Sequence, residues 1–337
     1  MKAYRLDDFK GLDNLRLREE DDPRPQRGEL LVRVHAVSLN YRDIALVRDR
    51  YPWPHLKGLV PVSDAAGEVV EVGAGVESFK VGDRVMGSFH CRWFGGRASA
   101  DLIKYQYGSV IDGWLVERKV VSQEAVVMAP ASLTYEEAST LPCAGLTAWD
   151  ALTGSVPIRA GHTVLTQGTG GVSIFALQLA KAVGASVIAT TSSAAKADRL
   201  RSLGADGIVN YKEEPHWGER VRTLAGGRGV DRVVEVGGPG TIGESLQAVA
   251  YGGEIASIGF LTTDNPGIDF FELKRSGATF RNIAVGSREG LQELARAITL
   301  VGIKPMIDRV FDFDAAKEAF AYLESGSHFG KVVIRCS

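Results

Sequence analysis

Residues 163–191 read TVLTQGTGGVSIFALQLAKAVGASVIATT, and this stretch decides the architecture. TVLTQ is a short β-rich run. Gly168, Gly170 and Gly171 follow, then Val172, Ala176, Leu179 and Val183 at helical spacing, then a second β-rich run, SVIAT. Apolar residues recurring every three or four positions mark one buried face of a helix, and short β-branched runs bounded by glycine mark buried strands. Gly168 and Gly170 take the first two places of a GxGxxG pattern, with Ser173 in the third. Between a strand and a helix, glycine lets the chain turn sharply and lets its backbone approach a diphosphate, whose charge the helix N-terminus meets. Ser173 is small enough to keep helix and strand close. A tight strand-to-helix turn with no ligand would use the same residues.

Downstream, GIVN (207–210), DRVVEV (231–236) and GGEIASIG (252–259) repeat the strand signal with helical stretches between them. That alternation predicts a parallel, doubly wound sheet. An NAD-binding unit places Asp or Glu at the end of its second strand to hold the ribose 2′-hydroxyl. Thr190 to Ser192 occupy that place here. The hydroxyls of Thr191, Ser192 and Ser193, with Lys196 a turn later, suit a 2′-phosphate that an acid would repel, so NADP(H) is the expected cofactor. Gly237 and Gly238 end the fourth strand and Gly259 the fifth, at the carboxyl edge where such sheets hold ligands. Close backbone approach to a nicotinamide and ordinary strand-end turns both account for them.

Upstream, to about residue 127, the pattern is β: ELLVRVHAVSLN (29–40), AGEVVEVG (66–73) and GDRVMGSF (82–89) are short runs separated by Gly, Pro and Asp. Residues 91–113 show no period and read as a long loop or lobe insertion. The tail is mixed, with a helix near 289–301, a strand near 308–312, a helix near 314–325 and a last strand, KVVIR.

At 337 residues the chain exceeds the roughly 100–200 of one domain, so two are expected. Lys and Arg number 39 against 41 Asp and Glu, a net charge of −2, which gives no electrostatic footprint for nucleic acid or an anionic membrane. A small molecule or another subunit is the expected partner. The opening residues carry charges every few positions, unlike a secretory signal, and no run approaches the ~18 apolar residues of a membrane span. Cys91, Cys143 and Cys336 are odd in number and far apart, which argues against a disulfide framework and for a reducing, cytoplasmic compartment.

Taken together, AVSLNYRD (36–43), AAGEVVEVGAGVESFKVGDRV (65–85), LPCAGLTAWDAL (141–152) and SGSHFGKVVI (325–334) resemble the medium-chain dehydrogenase/reductase superfamily from about residue 28 to the end. The resemblance implies a mixed α/β chain. Residues 1–130 and 276–337 would form a GroES-like catalytic domain carrying the 91–113 lobe, and 131–275 a Rossmann domain, with the nicotinamide between them. It also implies a homodimer through the Rossmann sheet edge near GGEIASIGF. Zinc-dependent members read Gly-His-Glu before AAG, where this chain reads Val62-Ser63-Asp64; the other two ligand cysteines fall on Asn40 and Cys143. One ligand of three does not hold a catalytic zinc, and Cys91 alone in the lobe does not hold a structural one.

The zinc-independent alcohol dehydrogenase-like and quinone oxidoreductase-like members are therefore the expected branch. Without a metal, hydride transfer needs hydrogen-bond donors where oxyanion or enolate charge develops. Asn40 and Tyr41 are the candidates, and Tyr51 lines the pocket or packs with a satisfied hydroxyl. Arg42 orients a ligand or pairs with Asp43, which supports its neighbours, and Ser63 joins them at the lost metal position. Thr147 falls where the family contacts the nicotinamide. Thr169, Gly171, Val172, Tyr211, Phe260, Phe329 and Lys331 complete the expected cofactor set. Cys143 reads as a small buried residue, and the scattered histidines carry no assignment. The expected reaction moves hydride between NADP(H) and a small carbonyl or alcohol. Quinone or C=C reduction is the alternative, and a cofactor-binding protein without turnover is a further one.

Overall fold

The computed structural model describes residues 1–154, 156–262 and 267–336. The chain opens with β1 (Lys2–Leu6), β2 (Leu15–Glu19), β3 (Glu29–Leu39), α1 (Tyr41–Val47), β4 (Asp64–Val72), β5 (Arg84–Gly87), α2 (Ala100–Ile103), β6 (Arg118–Ser122), β7 (Val126–Met128) and α3 (Tyr135–Ala138). After α4 (Leu146–Thr153) it alternates through β8 (Thr163–Thr166), α5 (Gly171–Ala182), β9 (Ser186–Thr191), α6 (Ala194–Ser202), β10 (Gly207–Asn210), α7 (Trp217–Leu224), β11 (Val230–Glu235), α8 (Ile242–Ala248), β12 (Val249–Ser257), α9 (Phe270–Ser276) and β13 (Thr279–Asn282). It closes with α10 (Arg288–Val301), β14 (Ile307–Asp312), α11 (Ala316–Glu324) and β15 (Lys331–Arg335). Two compact units result, Met1–Leu146 with Val285–Ser337, and Thr147–Ala284.

The first unit joins both termini in a seven-stranded sheet, ordered β14-β15-β3-β4-β5-β7 with β6 also on β3. β15 pairs antiparallel with β3, setting Val332 opposite Leu39, so the C-terminal strand arrives beside Asn40. Leu30, Leu31, Val32, Val34 and Ala36 to Leu39 are buried, so β3 is covered on both faces over most of its length, with Arg33 exposed between. Residues 131–146 cluster with this unit, because α3 packs on β3, β4 and β15, and Ala138 at its end and Leu141 just after it are completely buried.

The 91–113 segment is held at several points. Cys91 N donates to Tyr105 O at 3.1 Å, and the carbonyls of Trp93 and Phe94 accept from Arg288 N and Glu289 N at 2.9 Å each. Those amides open α10 and have no partner within the helix. Gly113 lies against the preceding loop so closely that a Cβ there would stand 2.2 Å from Val62 O. Val62 itself has φ +73°, a strained conformation for a β-branched residue.

The second unit is a six-stranded sheet, β10-β9-β8-β11-β12-β13, parallel at every pairing. Numbered within the unit, that is the 3-2-1-4-5-6 order of a Rossmann domain. Parallel neighbours need long crossovers, which the helices supply. Leu165, Ile188, Val209, Val233 and Ile255 from the strands pack with Trp217 and Val221 of α7 and Leu246 of α8 in one buried cluster, each such side chain contributing ~1.5–3 kcal/mol. GGEIASIGF lies mostly on β12, one strand inside, and the edge is β13, whose residues Thr279–Asn282 are too few to show a period.

Candidate functional site

In the first unit a polar cluster forms where β3 runs into α1. Asn40 has extended φ, ψ and caps α1; its N–H donates to Asp43 Oδ2 at 2.8 Å, while Asp43 N donates to Asn40 O at 3.0 Å. Lys331, brought over by β15, is buried and donates from Nζ to Leu39 O and to Asn40 Oδ1, both at 2.5 Å. The Lys331 ammonium therefore orients the Asn40 amide, which is the place the structure assigns to a residue expected at the cofactor. Asp64 is fully buried, accepting from Ser63 Oγ at 2.7 Å and from Cys143 N at 3.0 Å. Burial raises the Asp64 carboxyl and lowers the Lys331 ammonium, each offset in part by the other. Burial also raises the Cys143 thiol, with Asp64 adding to it, so the thiolate that attacks or ligates is disfavoured.

Arg42 and Asp43 are both buried. Arg42 Nη1 donates to Tyr107 O at 3.0 Å and stands 3.4 Å from Asp43 Oδ1, and the guanidinium lies 4.7 Å over the Tyr51 ring. Burial pushes the Asp43 carboxyl up to about 6, against the pull of Arg42 and of the Asn40 N–H. Tyr51 donates its hydroxyl proton to Gln106 Oε1 at 2.5 Å, so the packed, satisfied reading of Tyr51 describes its hydroxyl here. Tyr41 is half-buried at the first position of α1, and Phe329 is buried.

The second unit holds the glycine loop at the carboxyl end of β8, where the strand order reverses. Gly168 has φ +69°, and its N–H donates to Thr190 Oγ1 at 3.2 Å. Ser173 Oγ donates to Gln167 O at 2.6 Å, which ties helix to strand as its small size allows. A Cβ added at Gly168 or Gly170 would meet nothing within 4 Å. Gly170 caps α5 with no side-chain hydrogen bond, so the first-turn amides of Gly171 and Val172 beside Thr169 form an open anion cradle. This geometry fits a dinucleotide diphosphate.

At the end of β9, Thr191 is buried and Ser192 and Ser193 half-buried. Ser193 caps α6, its Oγ accepting from Lys196 N at 3.4 Å, and Tyr211 N donates to Thr191 O at 3.0 Å. Thr147 is buried on α4. Gly237, Gly238 and Gly259 differ from the first loop because packing demands them. A Cβ at Gly259 would lie 1.9 Å from Val236 O, and one at Gly237 2.3 Å from Thr241 Oγ1. Phe260 follows, half-buried.

A zinc ion does not suit these donors. Asn40 Oδ1 already takes the Lys331 ammonium, and Ser63 turns its hydroxyl onto Asp64. Among the described residues no three His, Cys, Asp or Glu come together to hold a metal.

Sequence reasoning passed over Gln106, Gln167, Glu235 and Ser245. Gln106 lies in the aperiodic lobe, and pairing with Tyr51 is a long-range event no local pattern carries. Gln167 and Glu235 left one trace, a polar residue at the end of an apolar strand with glycine one or two positions on.

The model of the alcohol dehydrogenase GroES-like domain matches residues 26–131, and that of the zinc-binding dehydrogenase matches 171–300. A zinc-type alcohol dehydrogenase-like protein of Schizosaccharomyces pombe is 39% identical over 98% of this chain and 97% of its own. A putative alcohol dehydrogenase from Sinorhizobium meliloti 1021 superposes with a TM-score of 0.92 at 41% identity, covering 99% of this chain and 98% of its own. Escherichia coli quinone oxidoreductase complexed with NADPH superposes with a TM-score of 0.84 at 25% identity over the full length of both.

Proposed function

The chain belongs to the medium-chain dehydrogenase/reductase superfamily, and from that premise we propose a zinc-independent, NADPH-dependent oxidoreductase acting on a small carbonyl or alcohol. The observation that carries the reading is the open glycine cradle at the switch point of a Rossmann sheet. When bound, the nicotinamide supplies or takes the hydride. The amides opening α5 hold the diphosphate; Thr191, Ser192, Ser193, Lys196 and Tyr211 take the 2′-phosphate; Thr147, Gly237, Gly238, Gly259 and Phe260 bound the rest.

In the first unit Asn40, oriented by Lys331, and Tyr41 act as neutral hydrogen-bond donors toward the substrate oxygen, stabilising charge as it develops there. Arg42, Asp43, Tyr51 and Ser63 act behind them, holding the cap of α1 and the loop at Asp64. Titration of the protein with NADPH and NADH tests the cofactor half. NADPH binds at least about tenfold tighter, a difference of ~1.4 kcal/mol, and equal or reversed affinities overturn the preference.

Quinone or enone reduction is the second reading, supported by the likeness to the quinone oxidoreductase and by the metal-poor donor set. With deuterated nicotinamide, label on a carbonyl carbon supports the first reading and label on a β-carbon the second. Absence of turnover across both panels leaves a cofactor-binding protein. We further infer a homodimer through the β13 edge, near which Tyr251, Phe270 and Phe271 are exposed; a monomer by light scattering removes that inference. Three free cysteines support a cytoplasmic setting; no helix among the described residues is long and apolar enough to cross a membrane.

A further inference from the structure

Glu235 ends β11 and Gln167 directly follows the adjacent strand β8, one step beyond the Val234 and Thr166 register pair. Neighbouring parallel strands in register point such side chains to the same face, and these two meet. Glu235 is completely buried, Ser245 likewise, and Gln167 nearly so. Oxygen Oε1 of Glu235 accepts from Gly237 N at 2.8 Å, Gly238 N at 3.0 Å and Thr241 Oγ1 at 2.6 Å. Oxygen Oε2 accepts from Gln167 Nε2 at 2.6 Å and from Ser245 Oγ. The Gln167 carboxamide closes the ring, since its Oε1 accepts from Val236 N at 3.1 Å and Gly237 N at 3.2 Å. From there the ring reaches the loop after β12, because Thr262 N and Oγ1 donate to Gly237 O at 2.9 and 3.0 Å.

Two consequences follow. The backbone amides of Gly237 and Gly238 are aimed inward, so that loop offers a ligand close packing rather than hydrogen bonds. And the loop that opens α5 starts at Gln167 itself, so a single carboxylate sets the spacing between the diphosphate cradle and the Gly237 loop. We propose that Glu235 and Gln167 are positioning residues for the dinucleotide, a carboxylate–carboxamide latch that holds the two ligand-facing loops in register; this rests on the reading of those loops as the NADPH site.

The chemistry of the pair is directional. Glu235→Gln leaves one oxygen where two were needed, so an N–H faces either the glycine amides or the donors of Gln167 and Ser245, and a buried network short of one acceptor gives way. The double exchange Glu235→Gln with Gln167→Glu restores the count, because a carboxylate at 167 accepts from Val236 N and Gly237 N on one side and from the new amide at 235 on the other.

The test measures NADPH Kd, the Kd of adenosine 2′,5′-bisphosphate, and thermal midpoint for the wild type, both single variants, the double exchange and Ser245→Ala. Removing partners behind metal ligands costs about 10–100-fold in affinity, and NADPH Kd is expected to rise on that scale in each Glu235 or Gln167 single variant. It returns to within about threefold in the exchanged pair by the same network argument. The bisphosphate, which spans the end of β9 and the glycine cradle but has no nicotinamide half to reach the Gly237 loop, does not sense the spacing between the two loops and keeps its affinity throughout. If Glu235→Gln does not fold, Ser245→Ala removes one donor from the same carboxylate and carries the test, with a smaller rise in NADPH Kd and no change for the bisphosphate. Unchanged NADPH Kd in folded variants, or equal losses for both ligands, overturns the latch. A wild type that binds neither ligand overturns the site reading and the latch with it, and that failure is visible before any variant is made.

Discussion

Asp43 is where titration and folding meet most directly in this chain. Its side chain is 1% exposed, and burial pushes the carboxyl from its usual 3.8 up to about 6, with Arg42 and the Asn40 N–H pulling the other way. The folded state thus binds the Asp43 proton more tightly than the unfolded chain does. This contribution favours folding in full below the unfolded value and is lost as pH rises through the folded one. At ~1.36 kcal/mol for each tenfold gain in proton affinity, that rise amounts to about 3 kcal/mol, of which about 2–3 kcal/mol falls between about pH 4 and about pH 7. Asp43→Asn removes the titration and keeps an oxygen for the Asn40 N–H. Other carboxylates change stability over the same range, so the informative quantity is the wild-type stability minus that of the variant, from urea unfolding followed by fluorescence. That difference should fall by about 2–3 kcal/mol toward neutral pH. A flat difference, or one that rises with pH, refutes the reasoning, because it would mean that the Arg42 and Asn40 contacts outweigh burial.

Gly170 lies at φ −77° with open space around a Cβ, so Gly170→Ala should leave the thermal midpoint unchanged while weakening NADPH by about tenfold or more, as its methyl takes the place of a close backbone approach; calorimetry reads both. Arg281 donates to Glu254 Oε1 at 2.8 Å, to Asp150 Oδ2 at 3.1 Å and to the carbonyl of Asp150, in the last turn of α4, at 2.7 Å. Arg281→Met takes one of two guanidinium partners from the buried Glu254, leaving Arg232 at 3.5 Å, and should cost about 2 kcal/mol in chemical denaturation. Elemental analysis of the purified protein should find no stoichiometric zinc, and chelator treatment should leave turnover unchanged; one zinc per chain would contradict the donor set at Asn40 and Ser63.

Much of the fold was legible because it is local. TVLTQ, GIVN and KVVIR each carry a strand's worth of β-branched residues, and the observed strands begin and end within a residue or two of them. The glycine loop was equally plain, since φ +69° at Gly168 and the uncapped start of α5 are demands on residue type that sequence records directly. β13 was not legible: four residues long, it is a strand only because β12 offers it an edge.

The chain's own residues determined the alternation that makes a Rossmann unit, the missing acid after β9 and the loss of two metal ligands, all properties of residue type at a given spacing. Only the tertiary structure decided what those residues touch. Asn40 and Lys331 are 291 positions apart, and β15 must pair with β3 before the ammonium can meet the amide. Asp64 reaches Cys143 N across 79 positions, and Glu235 reaches Gln167 across 68. A buried charge takes its properties from whichever groups surround it at a few ångströms, and those groups are chosen by strand register and layer packing rather than by neighbours in the chain.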